Sequence, residues 1–471
     1  HSVHRSLIDA HVSVRFASTF APRMPAPWVG VAWLLVGAAV LAAVLVRALR
    51  TRDARTAAVV VVGDVGRSPR MCYHAASLLA HGWHVRLVGH FDAPLPPALV
   101  HARVACVPLY APPAWAARLP RALFPLVALV KVPLGAWSLF AALALRPTPA
   151  VIIAQTPPAI PTLAVLRLVR ALCDTRLVVD WHNLGYTLLA LKLGATHPLV
   201  RLAEFLEAHT GRSADVHLFV TAAMREALVA RWHLRGAARV LYDRPGPSFR
   251  ALDGAERAAC RAHFADVLHD PGLARDDHAL VVTSTSWTPD EDMDMLLDAA
   301  SLYNRAAQAA DARLPRVSLV ITGKGPLRTT YEARFAARAQ REHWTHVRTT
   351  LAWLAADDYP RLLGCVDVGV SLHQSSSGLD LPMKVVDLLG CRATVCALDY
   401  ACLHELVAPG TNGAVFADAA GLAQTLATLL RGFPTAACAQ RPAKAFPRGT
   451  PETWSENWDA VVLPALPRVQ M

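Results

Sequence analysis

Four consecutive residues, Asp180-Trp181-His182-Asn183, follow the apolar run Leu177–Val179. Such a run reads as a buried strand of a parallel sheet, and the carboxyl end of a parallel strand is where α/β proteins place their chemistry. A histidine flanked there by a carboxylate and an amide is a candidate general acid or base, because it titrates near neutrality. A histidine satisfied within a core is the competing reading. Asp64, in the loop after the first apolar strand, and Glu405, in Leu403-His404-Glu405-Leu406, come after His182 as candidate bases.

Groups suited to a diphosphate lie mostly in the second half of the chain. Ser371–Gly390 (SLHQSSSGLDLPMKVVDLLG) runs from a strand through a Ser/Gly loop into a short helix. Ser376, Ser377 and Gly378 offer loop amides, Pro382 suits a first helical position, and Gly390 closes the helix. Lys384 and Asp387 share one face near the helix's positive end, the lysine facing phosphate and the acid sugar hydroxyls. An ordinary strand–loop–helix with a solvated Lys–Asp pair is the alternative. In Gly323-Lys324-Gly325-Pro326 the glycines permit close backbone approach and Lys324 reaches a phosphate. In the first half, Gly63-x-x-Gly66 is a weak nucleotide signal strengthened by Arg67 and Arg70, which would meet an anionic acceptor; two solvated arginines are the alternative. The acid run Asp290, Glu291, Asp292 and Asp294 reads as a charged helix start rather than a metal site. No residue set resembles a metal cage, so no cofactor is expected to be required, although Mg²⁺ could assist through a diphosphate.

Two βα series must position these residues. Ala57–Val62, His84–Val88, Val151–Ala154, Leu177–Val179 and Leu218–Val220 are the strands of the first, with helices over Pro69–His81, Leu163–Leu172 and Ala222–Trp232. Leu280–Ser284, Val317–Thr322, Val366–Leu372 and Ala393–Ala397 belong to the second, with a helix over Gly421–Leu430. The stretch between, 246–278, is charged and aperiodic and reads as a linker. The spacing predicts an α/β protein of two Rossmann-like domains, 56–245 and 279–471, facing a cleft, with Trp454 and Trp458 one turn apart on a docking helix that returns at the carboxyl end.

Ala26–Val46 is uncharged and apolar, and as a helix would span about 31 Å, a bilayer core. Residues 26–49 are therefore expected to be a transmembrane anchor behind a dispensable extension, 1–25. Arg47, Arg50, Arg52 and Arg55 place the chain beyond the anchor in the cytosol. Ala114–Arg146, apolar but broken by Pro120, Pro125, Lys131 and Pro133, reads either as an interfacial segment or as a packed helix pair. The net charge of +11 suits an anionic partner, and the nine cysteines are unpatterned, as reduced thiols would be.

GDVGRSPRM, DWHNLGY, TSTSWTPDED, ITGKGPL and SSSGLDLPMKVVDLLGC together resemble, in order and spacing, the motifs of the chitobiosyldiphosphodolichol β-mannosyltransferases. The resemblance spans roughly 57–464 plus the amino-terminal anchor. It implies a GT-B fold and transfer of mannose, with inversion, from GDP-mannose to dolichol-linked GlcNAc₂ diphosphate at the cytosolic face of the endoplasmic reticulum membrane. It further implies partner transferases of the same pathway and no nucleic-acid partner. By the same resemblance, Gly323, Lys324 and Gly325 match a donor-phosphate loop, and Pro382, Lys384 and Asp387 a P-x-K-x-x-[DE] element whose acid holds the ribose. The chain departs from the wider Glu-x7-Glu pattern: Leu379 stands where the first Glu would, which leaves nearby Asp380 with helix capping as its simplest role. Readings of other classes are a GT-B transferase of another sugar, a nicotinamide-dependent oxidoreductase and a catalytically silent membrane scaffold.

Overall fold

The computed structural model describes residues 51–113, 120, 124–288, 291–309, 312–434, 445–447 and 451–467. The expected anchor, 26–49, and the extension before it lie outside them. In the first lobe, β1 (Arg52–Asp64), β2 (His84–His90), β3 (Val104–Pro108), β4 (Thr148–Thr156), β5 (Arg176–Trp181), β6 (Val216–Phe219) and β7 (Ala237–Val240) form one sheet. The helices between them are α1 (Pro69–Ala80), α2 (Phe124–Ala144), α3 (Thr162–Leu172), α4 (Gly185–Leu193), α5 (Pro198–Gly211) and α6 (Ala222–Trp232). After α7 (Gly254–Val267), the second lobe runs β8 (His278–Ser284), α8 (Met293–Ala307), β9 (Arg316–Thr322), α9 (Arg328–Arg341), β10 (Val347–Ala352) and α10 (Asp358–Gly364). It continues with β11 (Val368–Ser371), α11 (Met383–Gly390), β12 (Thr394–Leu398), β13 (Gly413–Phe416) and α12 (Ala419–Leu430); α13 (Trp454–Val461) closes the described chain.

The sheet orders are β3-β2-β1-β4-β5-β6-β7 and β10-β9-β8-β11-β12-β13, with parallel pairing throughout. Each order reverses beside its lobe's first strand, opening a crevice at the strands' carboxyl ends. Burial on both faces explains the unbroken apolar runs. In β8, Ala279 and Val281 enter one core layer while Leu280 and Val282 enter the opposite one. The chain then crosses back: Trp454 and Trp458 of α13 are buried in the first lobe's core with Val59, Met71 and Leu78.

Several elements differ from the sequence expectation. The stretch 246–278 holds α7, started by a capping box in which Asp253 accepts from the Glu256 amide and Glu256 accepts from that of Asp253. Its Phe264 and Cys260 pack in the same layer as Leu280 and Val282, so this connection is part of the second lobe's core. Pro382 is the residue before α11 rather than its first, with extended backbone, and the left-handed residue after the helix is Arg392 (φ 57°), not Gly390. Gly390 is instead required where a Cβ would lie 2.6 Å from Pro245. Of the 114–146 segment, the described residues hold one long helix, α2. Arg86 donates to Ala142 O and Pro147 O near its end, at 3.4 and 3.0 Å. No helix among the described residues is long and apolar enough to cross a membrane.

Candidate active site

Strand β5 carries Asp180 into the core and releases His182 at its end. The His182 amide still donates to Thr156 O (3.1 Å), so the ladder from β4 fixes the backbone up to the histidine. Asp180 is fully buried and receives four bonds. Arg70 of α1 donates from Nε (2.8 Å) and Nη2 (2.8 Å), His74 of α1 approaches Oδ2 from Nε2 (3.0 Å), and His182 approaches the same oxygen from its Nε2 (2.9 Å). Burial alone would raise this carboxyl, but Arg70 and the two histidine bonds outweigh it and hold it well below the usual carboxylate range. An ionised Asp180 accepts only, so His182 bears its proton on Nε2. No bond to Nδ1 is found among the described residues and the side chain is 20% exposed, which leaves that lone pair for a reactant.

Directly after the histidine the first lobe meets the second. Asn183 Nδ2 donates to Ser376 Oγ (3.3 Å), and Thr187 Oγ1 lies 3.5 Å from the same oxygen. Thr221 caps α6 and donates across to Leu379 O (2.6 Å). The Ser/Gly loop thus stands opposite His182. Asp380 clamps that loop, accepting from the Ser375 and Ser377 hydroxyls; it does not cap α11.

The second lobe's cations lie on its side of the crevice on lighter attachments. Lys384 pairs with Glu291, whose other oxygen accepts from the Ser286 amide. Lys324 is exposed, its Nζ 4.2 Å from the centre of the Trp353 ring. A Cβ on Gly323 would lie 1.7 Å from Thr285 O, and one on Gly325 1.8 Å from Ser286 O. The close approach these glycines permit is therefore to the neighbouring loop of the same lobe. Asp387 lies one turn inside α11 with no bond to its carboxylate among the described residues; burial, with Asp243 adding, pushes it up to about 7.

Other expected site residues are engaged elsewhere. Glu405 accepts from the Ala222 (2.7 Å) and Ala223 (2.8 Å) amides and from Tyr242 Oη (2.9 Å), tying the second lobe to the start of α6. Asp64 accepts from the Gly66 (3.2 Å) and Ala93 (3.0 Å) amides and pairs with Arg67 (3.2 Å), shaping its own loop. Gly66 has no room for a Cβ, which would lie 2.7 Å from Ala93 O. Arg70, expected at an acceptor diphosphate, is buried and also donates to Leu241 O and Asp243 (both 2.8 Å). Of these three, Arg67 keeps its head exposed.

Glu207 was not singled out from the sequence. From α5 its oxygens accept from the Gly185 (3.0 Å) and Tyr186 (3.1 Å) amides, fixing the start of α4 and so the turn after His182. Its burial, opposed by these amide bonds, pushes it up from 4.5 to about 7. A glutamate on a mixed helix carries no signal of that task. A cavity of about 740 Å³ between α1, Pro245–Phe249 and Thr453–Ser455 contains none of the residues discussed as base or phosphate groups.

Residues 65–246 match the family model described as a glycosyl transferase 4-like domain, and 277–432 that of glycosyl transferases group 1. The chain is 40% identical to a chitobiosyldiphosphodolichol β-mannosyltransferase of Mus musculus over 90% of its own length and 92% of the relative's. It belongs to that family. The Homo sapiens member is 41% identical over 88% and 93%, and a relative from Arabidopsis thaliana at 37% is named UDP-glycosyltransferase TURAN. Among solved structures, a sucrose-phosphate synthase from Thermosynechococcus elongatus superposes with a TM-score of 0.58 at 17% identity, covering 87% of this chain and 97% of that one. Anabaena HepE gives 0.53 at 17%, covering 81% and 92%. Such distant likeness establishes the GT-B fold, and as a member of the β-mannosyltransferase family the chain is a glycosyltransferase.

Proposed function

We propose that the protein transfers mannose from GDP-mannose to the terminal sugar of a dolichol-linked GlcNAc₂ diphosphate at the cytosolic face of the endoplasmic reticulum membrane, inverting the anomeric centre. The observation that carries this reading is the Asp180–His182 pair at 2.9 Å beside the Ser376 loop, with no bond to His182 Nδ1 among the described residues. His182 Nδ1 takes the proton of the acceptor hydroxyl as its oxygen bonds to the anomeric carbon and the bond to the donor diphosphate breaks. Lys384, Lys324 and the first amides of α11 stabilise the departing charge, and Asp387 receives ribose hydroxyls. Lys384 exchanges Glu291 for phosphate on donor binding.

A lipid acceptor accounts for the surface of the first lobe. Leu129, Val130 and Trp137 on α2, Leu191 on α4, and Leu199, Leu202 and Phe205 on α5 are all exposed, Leu129 at 72% and Phe205 at 63%. The helices α2, α3, α5 and α4 pack successively side by side, and α4 begins three residues after His182. Lys131, Lys192 and Arg201 lie among these residues, as cations do on a face resting on anionic headgroups.

The test incubates the full chain in lipid nanodiscs with GDP-mannose and a GlcNAc₂-diphosphate lipid. One added hexose, removed by β-mannosidase and not by α-mannosidase, is expected. Transfer from a UDP-sugar in place of GDP-mannose would replace the donor assignment. Donor binding without transfer to any acceptor would favour the silent scaffold.

A further inference from the structure

Behind the candidate base runs a chain of hydrogen bonds that starts on the returning helix. Trp458 Nε1 lies 3.0 Å from His74 Nδ1. An indole N–H only donates, so Nδ1 of His74 is the acceptor and that ring's proton sits on Nε2, which faces Asp180 Oδ2 at 3.0 Å. The same carboxylate oxygen takes the Nε2 proton of His182. His74 is neutral in this arrangement, since burial, the largest influence, lowers its pKa despite Asp180. Donation into one imidazole nitrogen strengthens donation from the other, so the Trp458–His74 and His74–Asp180 bonds reinforce one another, while the His74 and His182 bonds share, and compete for, the same Oδ2. Trp181 makes a similar bond to His217 Nδ1 (3.2 Å), but that chain ends on Arg235 O (2.7 Å) and meets no reactive group.

Resting on the proposed transfer reaction, we infer that Trp458 and His74 are positioning residues that set the basicity of His182 through Asp180, whose ionised carboxylate fixes the His182 tautomer. The charged groups around the pair come from two elements besides β5: Arg70 and His74 of α1, and Asp243 after β7, which is bonded to Arg70. Arg70 neutralises much of Asp180. The His74 bond draws further on the lone pairs of Oδ2 and limits the pull that oxygen exerts on a protonated His182. Weakening the chain leaves Asp180 a stronger acceptor, which favours the imidazolium of His182 and makes it a poorer base at neutral pH. Docking of a helix encoded at the far end of the chain thereby tunes a histidine at the cleft.

The test reads His182 directly. Carbethoxylation by diethylpyrocarbonate, mapped to the His182 peptide by mass across about pH 5 to 8, reports its titration without substrate. Trp458→Phe keeps the ring and removes the donor; His74→Leu removes the relay. Both should raise the midpoint by about half a unit and so lower kcat at neutral pH by up to about threefold with donor KM unchanged. His74→Gln can still accept from Trp458 and donate to Asp180, and should keep the wild-type midpoint. Trp454→Phe drops the bond from the same helix to Ser77 Oγ (3.0 Å) outside this chain, and should keep it too. An unmoved midpoint in both Trp458→Phe and His74→Leu overturns the inference, as does a His74→Gln shift as large as that of His74→Leu. Because the labelling needs no turnover, a wild type that transfers no mannose would sink the proposed reaction without deciding this one.

Discussion

The two lobes share a strand order but treat their chemical groups differently. In the first, His182 is backed by a fully buried carboxylate that itself takes bonds from Arg70 and His74. In the second, Lys384 is held by one carboxylate and Lys324 by the face of one ring. A base must be held in one orientation and one protonation state, and a buried, satisfied network supplies both. Phosphate-binding cations must let go of their resting partners when a ligand arrives: Lys324 leaves an exposed ring face at small cost, while Lys384 leaves the buried Glu291, a loss that the incoming phosphate must offset. The surfaces differ in the same sense: the exposed Leu, Val, Trp and Phe side chains of α2, α4 and α5 all belong to the first lobe.

The contrast breaks most sharply at the base. His182→Ala should lower kcat about 10²- to 10⁴-fold while calorimetric GDP-mannose affinity stays unchanged; a weakened donor would move the histidine into the donor site. Lys384→Met should lower kcat/KM for the donor about 10²-fold, and adding Glu291→Gln, which removes the stranded carboxylate, should restore thermal stability without restoring rate. Recovery of rate in that double variant would mean that Lys384 serves the loop and not the phosphate.

On the apolar side, Leu191→Glu with Leu202→Glu should reduce transfer to a long-chain acceptor in vesicles at least about tenfold, the loss expected when two apolar side chains no longer enter lipid. Transfer to a short, water-soluble acceptor should be unaffected, and equal losses on both would place the effect in folding.

The smallest effect concerns Glu207. Its folded pKa of about 7 exceeds its usual 4.5, so its protonated form favours the fold. That contribution is complete below about pH 4.5 and is lost as pH rises through 7, at most about 3 kcal/mol. Glu207→Gln keeps only one acceptor for the Gly185 and Tyr186 amides, so it should melt below wild type near pH 4.5, the gap narrowing toward pH 7.5 as wild type alone loses this contribution. Parallel curves would show that the carboxylate is ionised throughout.

Both lobes were legible where strands are buried on two faces, because runs such as Val59–Val62 and Leu280–Val282 leave little choice of element. Helices α4 and α5 were not, because their apolar residues face outward and spoil the periodicity that marks a packed helix. At the site, the neighbourhood of Asp180 and His182 followed from their strand end, whereas the engagement of Arg70 did not. An arginine at a helix start looks alike whether it meets a ligand or a carboxylate 110 residues away. Glu405 and Asp64 carried the right chemistry for a base, but their lone pairs are taken by backbone amides that only the assembled lobes bring near.

The crossing of α13 has a consequence for synthesis. Domains emerging from a ribosome generally fold in order, the amino-terminal one first. Here the first lobe's core lacks Trp454 and Trp458 until the second lobe has been made. A chain halted anywhere in the second lobe carries both residues of the Asp180–His182 pair yet has an open face behind it, with Tyr73, His74 and Ser77 uncovered. Emergence of α13 is thus what completes the lobe made first, and a copy cut short before it leaves bare the surface that this helix conceals.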